Sequence, residues 1–206
     1  MGLDPGYGET PLDGDEMSAL EPALLEHFDR IPDKLTIHSL EQQTLAATRA
    51  RVLEDIDNSE LHLDEILTTS FLVELHRWLF DGIWTWSGAF RRTGLNIGVD
   101  PQFISTELHA SFGNLGYQAE ASLLTARQLG IATHAELVRI HPFTDGNGRV
   151  TRLMADLVFA ASQGLPHTYE YDWNLDKSVY IDLLRTYDLN RDPTPLSSFI
   201  GVRKLG

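Results

Sequence analysis

Most of the side chains that could do chemistry lie in one run of residues, 141–152, which reads His-Pro-Phe-Thr-Asp-Gly-Asn-Gly-Arg-Val-Thr-Arg. His141 titrates near neutral pH and could accept a proton from an attacking hydroxyl. Asp145 is a suitable ligand for Mg²⁺, which usually takes one or two carboxylates together with phosphate oxygens. A base and a metal ligand this close together indicate phosphate chemistry.

The same run contains a turn and the start of a helix. Gly146 and Gly148 allow a sharp bend, because glycine tolerates positive φ. Apolar residues then follow at the spacing of a helix face, at Val150, Leu153, Met154, Leu157, Val158 and Ala161. Free N–H groups at a helix N-terminus favour an anion. Arg149 and Arg152 would oppose the helix dipole by up to about 1 kcal/mol unless a phosphate lies there.

This run matches the motif H-x-F-x-(D/E)-G-N-G-R-x-x-R at every specified position, and on this ground the chain resembles the Fic family. The resemblance extends to residues 75–80 and 84–91, which are similar to the family's helix leading into a β-hairpin flap. Residues 135–140 resemble the helix that enters the motif. The similarity covers about residues 61–189.

The resemblance implies a role for each motif residue. His141 would be the general base, and Phe143 would anchor the loop in the core. Asp145 would hold Mg²⁺ between the α- and β-phosphates of ATP. The other positions would bind phosphate: Gly146, Asn147 and Gly148 as an anion pocket, and Arg149 and Arg152 at the outer phosphates.

The implied reaction transfers AMP from ATP to a Ser, Thr or Tyr hydroxyl of a target protein and releases pyrophosphate. One branch of the family carries Lys where this chain has Gly148 and acts as a kinase, so Gly148 favours nucleotide transfer.

Two alternatives stay open. The donor could be UTP, GTP or a CDP-alcohol. The chain could instead be a non-catalytic nucleotide-binding module of a toxin–antitoxin-like pair, although His141 and both arginines are present. Asp156 could also simply pair with Arg152 across the helix surface.

Regulation is ambiguous in the sequence. Many Fic enzymes carry an inhibitory helix with the pattern (S/T)-x-x-x-E-(G/N), whose Glu pairs with the second motif arginine, here Arg152. Glu41 is the candidate in this chain, but Ile37 stands four residues before it and Gln42 follows it. Either Glu41 is a divergent internal inhibitor, which we favour, or a separate small antitoxin supplies the Glu. The stretch 8–13 resembles the mobile mystery protein B subgroup, whose members accompany a small helix-turn-helix protein.

Composition limits the possible classes. The chain has 206 residues, 42% of them hydrophobic, which suits one compact domain with an additional arm. It has no Cys, so a disulfide framework and a thiol nucleophile are excluded. It has no apolar run of transmembrane length and no signal-peptide pattern, so we expect a cytoplasmic protein.

The net charge of −14 disfavours nucleic acid and anionic membranes as partners. Against that background, Arg91, Arg92, Arg149 and Arg152 are expected to converge on an anionic nucleotide.

The elements that must position these residues are mainly α. We predict a Fic-type helical bundle with a β-hairpin flap over the active site. Helices are expected at about 39–56, 63–84, 101–128, 132–140, 149–163 and 176–189, with a last short one after Pro193. Gly130 should separate two of them. Residues 1–35 would be an arm, 36–60 an N-terminal helix with a possible inhibitory role, and 61–206 the Fic domain.

A hairpin is predicted at 86–99, with its turn near Gly94. Its edge residues Asn96, Ile97, Gly98 and Val99 would pair with an extended segment of the target by β-augmentation. Such pairing would bring a target hydroxyl near His141.

Overall fold

The structure is a computed structural model that describes residues 14–28 and 32–205. The stretch 8–13, which carried the subgroup resemblance, lies outside these residues. The described helices are α1 (Gly14–Ala19), α2 (Pro22–Leu25), α3 (Lys34–Asp57), α4 (Leu63–Ile66), α5 (Thr69–Phe80), α6 (Ile104–Glu120), α7 (Ala126–Ile140), α8 (Asn147–Ala161), α9 (Lys177–Asn190) and α10 (Thr194–Phe199). Strands β1 (Tyr169–Tyr171) and β2 (Val202–Lys204) pair antiparallel. The mainly α class is confirmed.

The chain divides into two compact units. The first contains the described residues up to Ala50 together with Val73–Ala89. The second contains Arg51–Leu72 and the chain from Phe90 onward, and therefore includes the whole of the motif.

Helices α7 and α8 form the centre of the second unit. The apolar face predicted for α8 is buried: Val150, Met154, Leu157 and Val158 have no exposed surface, and Leu153 is 2% exposed. On its other side α8 packs with α7 and β1 around a cluster of buried residues, Ile131, Ala135, Ala155, Phe159, Tyr171, Tyr187, Leu196 and Ile200. The helix that follows the motif is thus held along its whole length, which gives the motif loop a rigid base.

The single helix predicted at 63–84 is wrong. Two helices, α4 and α5, replace it, and the break lies at Leu67 and Thr68. The Thr68 hydroxyl donates to the Glu65 carbonyl at 2.8 Å and accepts from the Phe71 N–H at 3.1 Å. Threonine side chains favour helix starts because they can satisfy such free N–H groups, and this local cap outweighs the continuous apolar stripe.

The boundary predicted around Gly130 is also wrong. Helix α6 ends at Glu120, despite the glycines in its middle, and α7 begins at Ala126. Thr125 and Gln128 form a capping box, with the Gln128 N–H donating to the Thr125 hydroxyl and the Thr125 N–H donating to the Gln128 side chain. Gly130 lies inside α7, where a Cβ would stand 2.7 Å from the Ala155 carbonyl oxygen of α8. This glycine permits close helix packing and does not end a helix.

The hairpin predicted at 86–99 does not form strands in the structure. Phe90 makes an isolated antiparallel bridge with Phe143 of the motif, and residues 91–99 form an irregular loop. The Thr93 and Val99 carbonyls accept from the Arg91 side chain, where a hairpin would use them for cross-strand bonds. The described sheet, β1 with β2, was not predicted.

The predicted arm 1–35 contains α1 and α2 where it is described. Leu20, between them, is 3% exposed and bridges Trp84 within the first unit. Across the two described ranges, no helix combines the length and the apolarity needed to cross a membrane.

Candidate active site

His141 is the residue at which α7 ends. Its N–H donates to the Leu137 carbonyl at 2.9 Å, and its φ of +52° places it in the left-handed region. Non-glycine residues rarely adopt this conformation, although His, Asn and Asp do so more often than the rest. The left-handed turn ends the helix and directs the chain into the motif loop.

The imidazole of His141 is partly buried, and its Nδ1 makes no hydrogen bond among the described residues. Burial lowers the pKa of His141 below its ordinary value, and the positive charge of Arg91 lowers this pKa further. The Val138 carbonyl and the Asp145 carboxylate act in the opposite direction but do not reverse the shift. A histidine with a lowered pKa is neutral at physiological pH, as a general base must be.

The loop after His141 is braced by its own residues. Phe143 is fully buried. The Phe143 N–H donates to Asn147 Oδ1 at 3.0 Å, and Asn147 Nδ2 donates to the Phe143 carbonyl at 2.7 Å. The Asn147 side chain, which the resemblance assigned to an anion pocket, is therefore committed to the loop. Its contribution to such a pocket would come from its backbone N–H.

The N-terminus of α8 combines backbone donors with arginines. Gly146 is the N-cap of α8 with a φ of +74°, and no side chain caps this end. Both terminal nitrogens of Arg152 lie 3.8 Å from the point where a Cβ on Gly148 would stand, so the guanidinium folds back over the first turn. Two cations at this end oppose the helix dipole, and a bound anion would relieve that repulsion.

The sequence allowed Asp156 to pair with Arg152, and the structure gives Asp156 a further partner. Asp156 Oδ1 accepts from Trp173 Nε1 at 3.0 Å. Arg152 influences two buried groups. Burial lowers the pKa of His134 to about 3, and the charge of Arg152 contributes in the same direction. Burial raises the pKa of Tyr180 to about 12 against the effect of Arg152. Arg152 therefore adds positive charge to this end of α8.

Asp145 is exposed beside this helix end, and its Oδ1 accepts from the Gly146 N–H at 2.6 Å. No group of three or more His, Asp or Glu residues suited to a metal occurs in the described part of the chain. A single carboxylate nevertheless fits Mg²⁺, because this ion keeps several waters and takes its other ligands from substrate phosphates. The donor chemistry of Asp145 is therefore compatible with the predicted metal.

Arg91 is not where the sequence analysis expected it. Its side chain is 3% exposed, and it donates to the carbonyls of His141, Thr93, Val99 and Ile140. A guanidinium with these bonds is committed to the backbone and does not converge with Arg149 and Arg152 on a nucleotide. The sequence could not reveal this role, because carbonyl acceptors are present at every residue.

Two of the four predicted target-docking residues, Val99 and Gly98, contact the end of α7 at Ile140 and His141. Val99 N–H donates to the Ile140 carbonyl at 3.3 Å. Gly98 has a φ of +94°, and a Cβ there would stand 2.8 Å from the His141 Cβ. Asn96 is exposed, and Ile97 keeps 51% of its surface exposed. The segment therefore has one end at the base and an accessible part before it, although it is a loop where a strand was expected.

Glu41, the candidate inhibitor, lies in the first unit and is 8% exposed. Its Oε1 accepts from Trp84 Nε1 at 2.9 Å, and its Oε2 lies 3.9 Å from His38 Nδ1. These contacts give Glu41 a structural role of its own. Its inhibitory role stays a prediction.

Comparisons with known proteins agree on one family. Residues 66–159 match the model of the Fic/DOC family. Protein adenylyltransferase fic-1 of Caenorhabditis elegans is 30% identical over 115 residues, which are 53% of this chain and 21% of that relative. This chain therefore spans about a fifth of the relative's length.

Solved structures share the fold. A Fic domain containing signaling protein from Bacteroides thetaiotaomicron aligns with a TM-score of 0.61 at 22% identity, over 85% of this chain and 68% of that chain. BepC, a VirB-translocated effector protein of Bartonella tribocorum with bound AMPPNP, aligns with a TM-score of 0.59 at 15% identity, over 84% of this chain and 90% of that chain. At these identities the likeness shows the fold alone, and it confirms the predicted helical bundle.

Proposed function

We propose that this chain, whose residues 66–159 match the Fic/DOC family model, is a protein adenylyltransferase. It would transfer AMP from ATP to a Ser, Thr or Tyr hydroxyl of a target protein and release pyrophosphate. In this proposal residues 61–206 are the catalytic domain, 36–60 a regulatory helix and 1–35 an arm. A cytoplasmic location is part of this proposal.

One observation carries the proposal: a histidine with a lowered pKa and an uncapped helix N-terminus with two arginines belong to the same short, braced loop. A base alone or an anion site alone would fit many functions. Their fixed proximity suits a reaction in which a hydroxyl must lose a proton while it attacks a phosphate, since positioning supplies much of the rate in such transfers.

The mechanism follows from these positions. His141 takes the proton of the target hydroxyl as the oxygen forms a bond to the α-phosphorus of ATP. The bond between that phosphorus and the oxygen bridging to the β-phosphate breaks, and pyrophosphate leaves. Arg149, Arg152 and the first N–H groups of α8 bind the phosphates and stabilise the negative charge that moves onto the leaving group.

Asp145 would hold Mg²⁺ in this reaction. The metal supplies Lewis-acid stabilisation of phosphate charge when it is bound. The Asp145 carboxylate is also kept in place by its hydrogen bond from the Gly146 N–H.

The exposed residues before Val99 would dock the target. Leu95 and Ile97 keep 44% and 51% of their surfaces exposed, which offers apolar contacts beside an accessible backbone. An extended target segment that pairs with this backbone would approach His141.

Two further observations support the donor and the chemistry. Gly148 leaves no side chain at the position where the kinase-like branch has Lys. The BepC structure, which shares the fold, holds AMPPNP, an analogue of ATP. For regulation we propose internal inhibition by Glu41. A separate antitoxin or helix-turn-helix partner, as expected for the mobile mystery protein B subgroup, is the competing proposal.

The test is transfer of label from α-³²P-ATP with Mg²⁺ to proteins of a cell lysate. We expect labelling by wild type or Glu41→Gly, and a loss of at least about 100-fold in His141→Ala, as removal of a general base implies. ATP-analogue binding should survive in His141→Ala, and with γ-³²P-ATP the label should not exceed that obtained with His141→Ala. Chelation of Mg²⁺ should abolish transfer. Absence of label with every form that retains His141 would reject ATP as donor, and UTP, GTP and CDP-alcohols would then be compared.

A further inference from the structure

Arg91 is a buried cation whose partners are all backbone. Its Nε donates to the His141 carbonyl at 2.6 Å, and its two terminal nitrogens donate to the carbonyls of Thr93 at 3.1 Å, Ile140 at 3.3 Å and Val99. Within the described residues no carboxylate forms an ion pair with it. Burying a charge is costly unless hydrogen bonds compensate it. Four accepting carbonyls provide that compensation, so this arginine and this backbone arrangement require each other.

These carbonyls belong to two segments that must stay in register. His141 and Ile140 lie at the end of α7, whereas Thr93 begins the exposed stretch 93–98 and Val99 follows it. Backbone bonds link the same segments, from the Arg91 N–H to the Pro142 carbonyl at 2.9 Å and from the Val99 N–H to the Ile140 carbonyl at 3.3 Å. The guanidinium donates to both segments and holds the loop 93–98 against the backbone of Ile140 and His141.

Gly98 shows how close this contact is. A Cβ at Gly98 would stand 2.7 Å from an Arg91 terminal nitrogen, 2.8 Å from the His141 Cβ and 3.0 Å from the Ile140 carbonyl oxygen. Its φ of +94° also disfavours any other residue. The loop therefore touches the residue that carries the base without an intervening side chain, and a small shift of the loop changes its distance from His141.

We propose that Arg91 is a positioning residue, which holds the docking loop, residues 93–98, at a fixed distance from His141 so that a bound target presents its hydroxyl to the base. This role rests on the proposed function. This role differs from nucleotide binding, because the guanidinium N–H groups donate to the protein's own carbonyls. Lysine is no substitute, since a point charge with three donors does not reproduce the planar fork of arginine.

The first measurement is amide hydrogen exchange, which needs no activity. In Arg91→Met we expect the hydrogen-bonded amides at positions 91 and 99, which donate to the Pro142 and Ile140 carbonyls, to exchange at least about tenfold faster than in wild type, while those of α8 keep their protection. Arg185→Met is the matched control: it removes the same charge, but Arg185 lies on α9 with 76% of its side chain exposed. Unchanged exchange at positions 91 and 99 in Arg91→Met would overturn the proposal.

The second measurement separates docking from nucleotide binding. In Arg91→Met we expect label transfer to lysate proteins to fall at least about tenfold, with the Kd for AMPPNP within about twofold of wild type. Arg91→Lys should show the same pattern in milder form, and Arg185→Met should match wild type. A loss of AMPPNP affinity equal to the loss of transfer would instead make Arg91 a nucleotide ligand and reject the proposal.

Gly98→Ala provides a second variant that leaves the arginine in place, for use should Arg91→Met fail to fold. It displaces the loop from His141 directly, so it should reduce transfer and preserve AMPPNP binding. Full transfer by Gly98→Ala would contradict the proposal. If wild type itself transfers no label, the adenylyltransferase function fails, and the exchange result still decides whether Arg91 holds the loop.

Discussion

His141 combines two residue-scale properties that a base on a regular helix would lack. Its left-handed backbone ends α7, and the Arg91 side chain holds its carbonyl. Both features fix the direction in which the imidazole projects from the backbone. Backbone strain of about 1–3 kcal/mol persists only where the surroundings enforce it, and it often accompanies functional sites.

The pKa of His141 leads to a pH prediction. Because burial and the charge of Arg91 place this pKa below its ordinary value of 6.5, the base should stay neutral from alkaline pH down to at least about pH 6.5. Below its pKa the rate, kcat/KM, should fall by about tenfold per pH unit, since a protonated imidazole accepts no proton. Labelling rates measured across this pH range test the prediction. The affinity for AMPPNP is measured at each pH, so that protonation of the nucleotide can be distinguished from protonation of His141. A decline that begins above pH 7 would contradict the assignment.

His134 provides a stability prediction. It is fully buried, its Nε2 lies 2.6 Å from the Tyr180 hydroxyl, and its pKa in the folded protein is about 3, against an ordinary value of 6.5. Below about pH 6.5 the unfolded chain binds a proton that the folded protein excludes, so the free energy of unfolding falls with pH. Between pH 7 and pH 5 the loss attributable to His134 should be about 2 kcal/mol.

Urea unfolding at both pH values measures this loss. His134→Gln, which does not titrate, should lose less stability than wild type on acidification, and His109→Gln at an exposed position should behave like wild type. Equal losses in wild type and His134→Gln would show that His134 is protonated in the folded protein.

At the scale of elements, the contact between α7 and α8 determines the geometry of the motif, because the motif loop connects these two helices. Gly130 allows them to approach closely. By contrast, a Cβ added to either glycine of α6 would meet no atom within 4 Å. The same residue type therefore serves different purposes in neighbouring helices.

This difference predicts opposite effects for one substitution. Gly130→Ala should destabilise the protein by about 1–3 kcal/mol, because the added methyl meets the Ala155 carbonyl and the Tyr171 ring of a packed core. Gly113→Ala, at an exposed position inside α6, should stabilise it by about 0.5–1 kcal/mol through helix propensity. Denaturant unfolding gives both values, and a shift of the same sign in both variants would refute this account.

At the scale of the whole molecule, Glu41 and the motif lie in different compact units. Inhibition by Glu41 would therefore be a property of the entire chain. Its described contact with Trp84 offers a simpler explanation for its burial, and the two roles predict different variant behaviour.

Glu41→Gln removes the charge but keeps an acceptor for the Trp84 N–H, whereas Glu41→Gly leaves that buried donor unsatisfied at a cost of about 1–3 kcal/mol. If the carboxylate inhibits, both variants should increase self-labelling from α-³²P-ATP, and only Glu41→Gly should have a lower melting temperature. Unchanged labelling in both variants would discard internal inhibition and favour a separate antitoxin, for which a co-purifying small protein is the direct observation.

The sequence by itself determined the parts of this protein that depend on near neighbours. The run from His141 to Arg152 predicted a base, a turn and a helix N-terminus, because those features follow from residues a few positions apart. The buried face of α8 followed from its spacing. The capping box of Thr125 and Gln128 indicates the start of α7 at Ala126, although the glycine at position 130 favoured a later start.

The tertiary structure alone decided what depends on residues far apart in the chain. Arg91 binds the carbonyls of His141 and Ile140, about fifty positions away. Its bonds to the Thr93 and Val99 carbonyls take the place of the cross-strand ladder that the pattern at 86–99 predicted. Gly130 is required by an approach of α8 that no local pattern records. The pairing of Tyr169–Tyr171 with Val202–Lys204 joins two segments too short to stand out alone. Packing and backbone acceptors at long range leave no signature in residue types, whereas a contiguous motif carries its chemistry in the order of its residues.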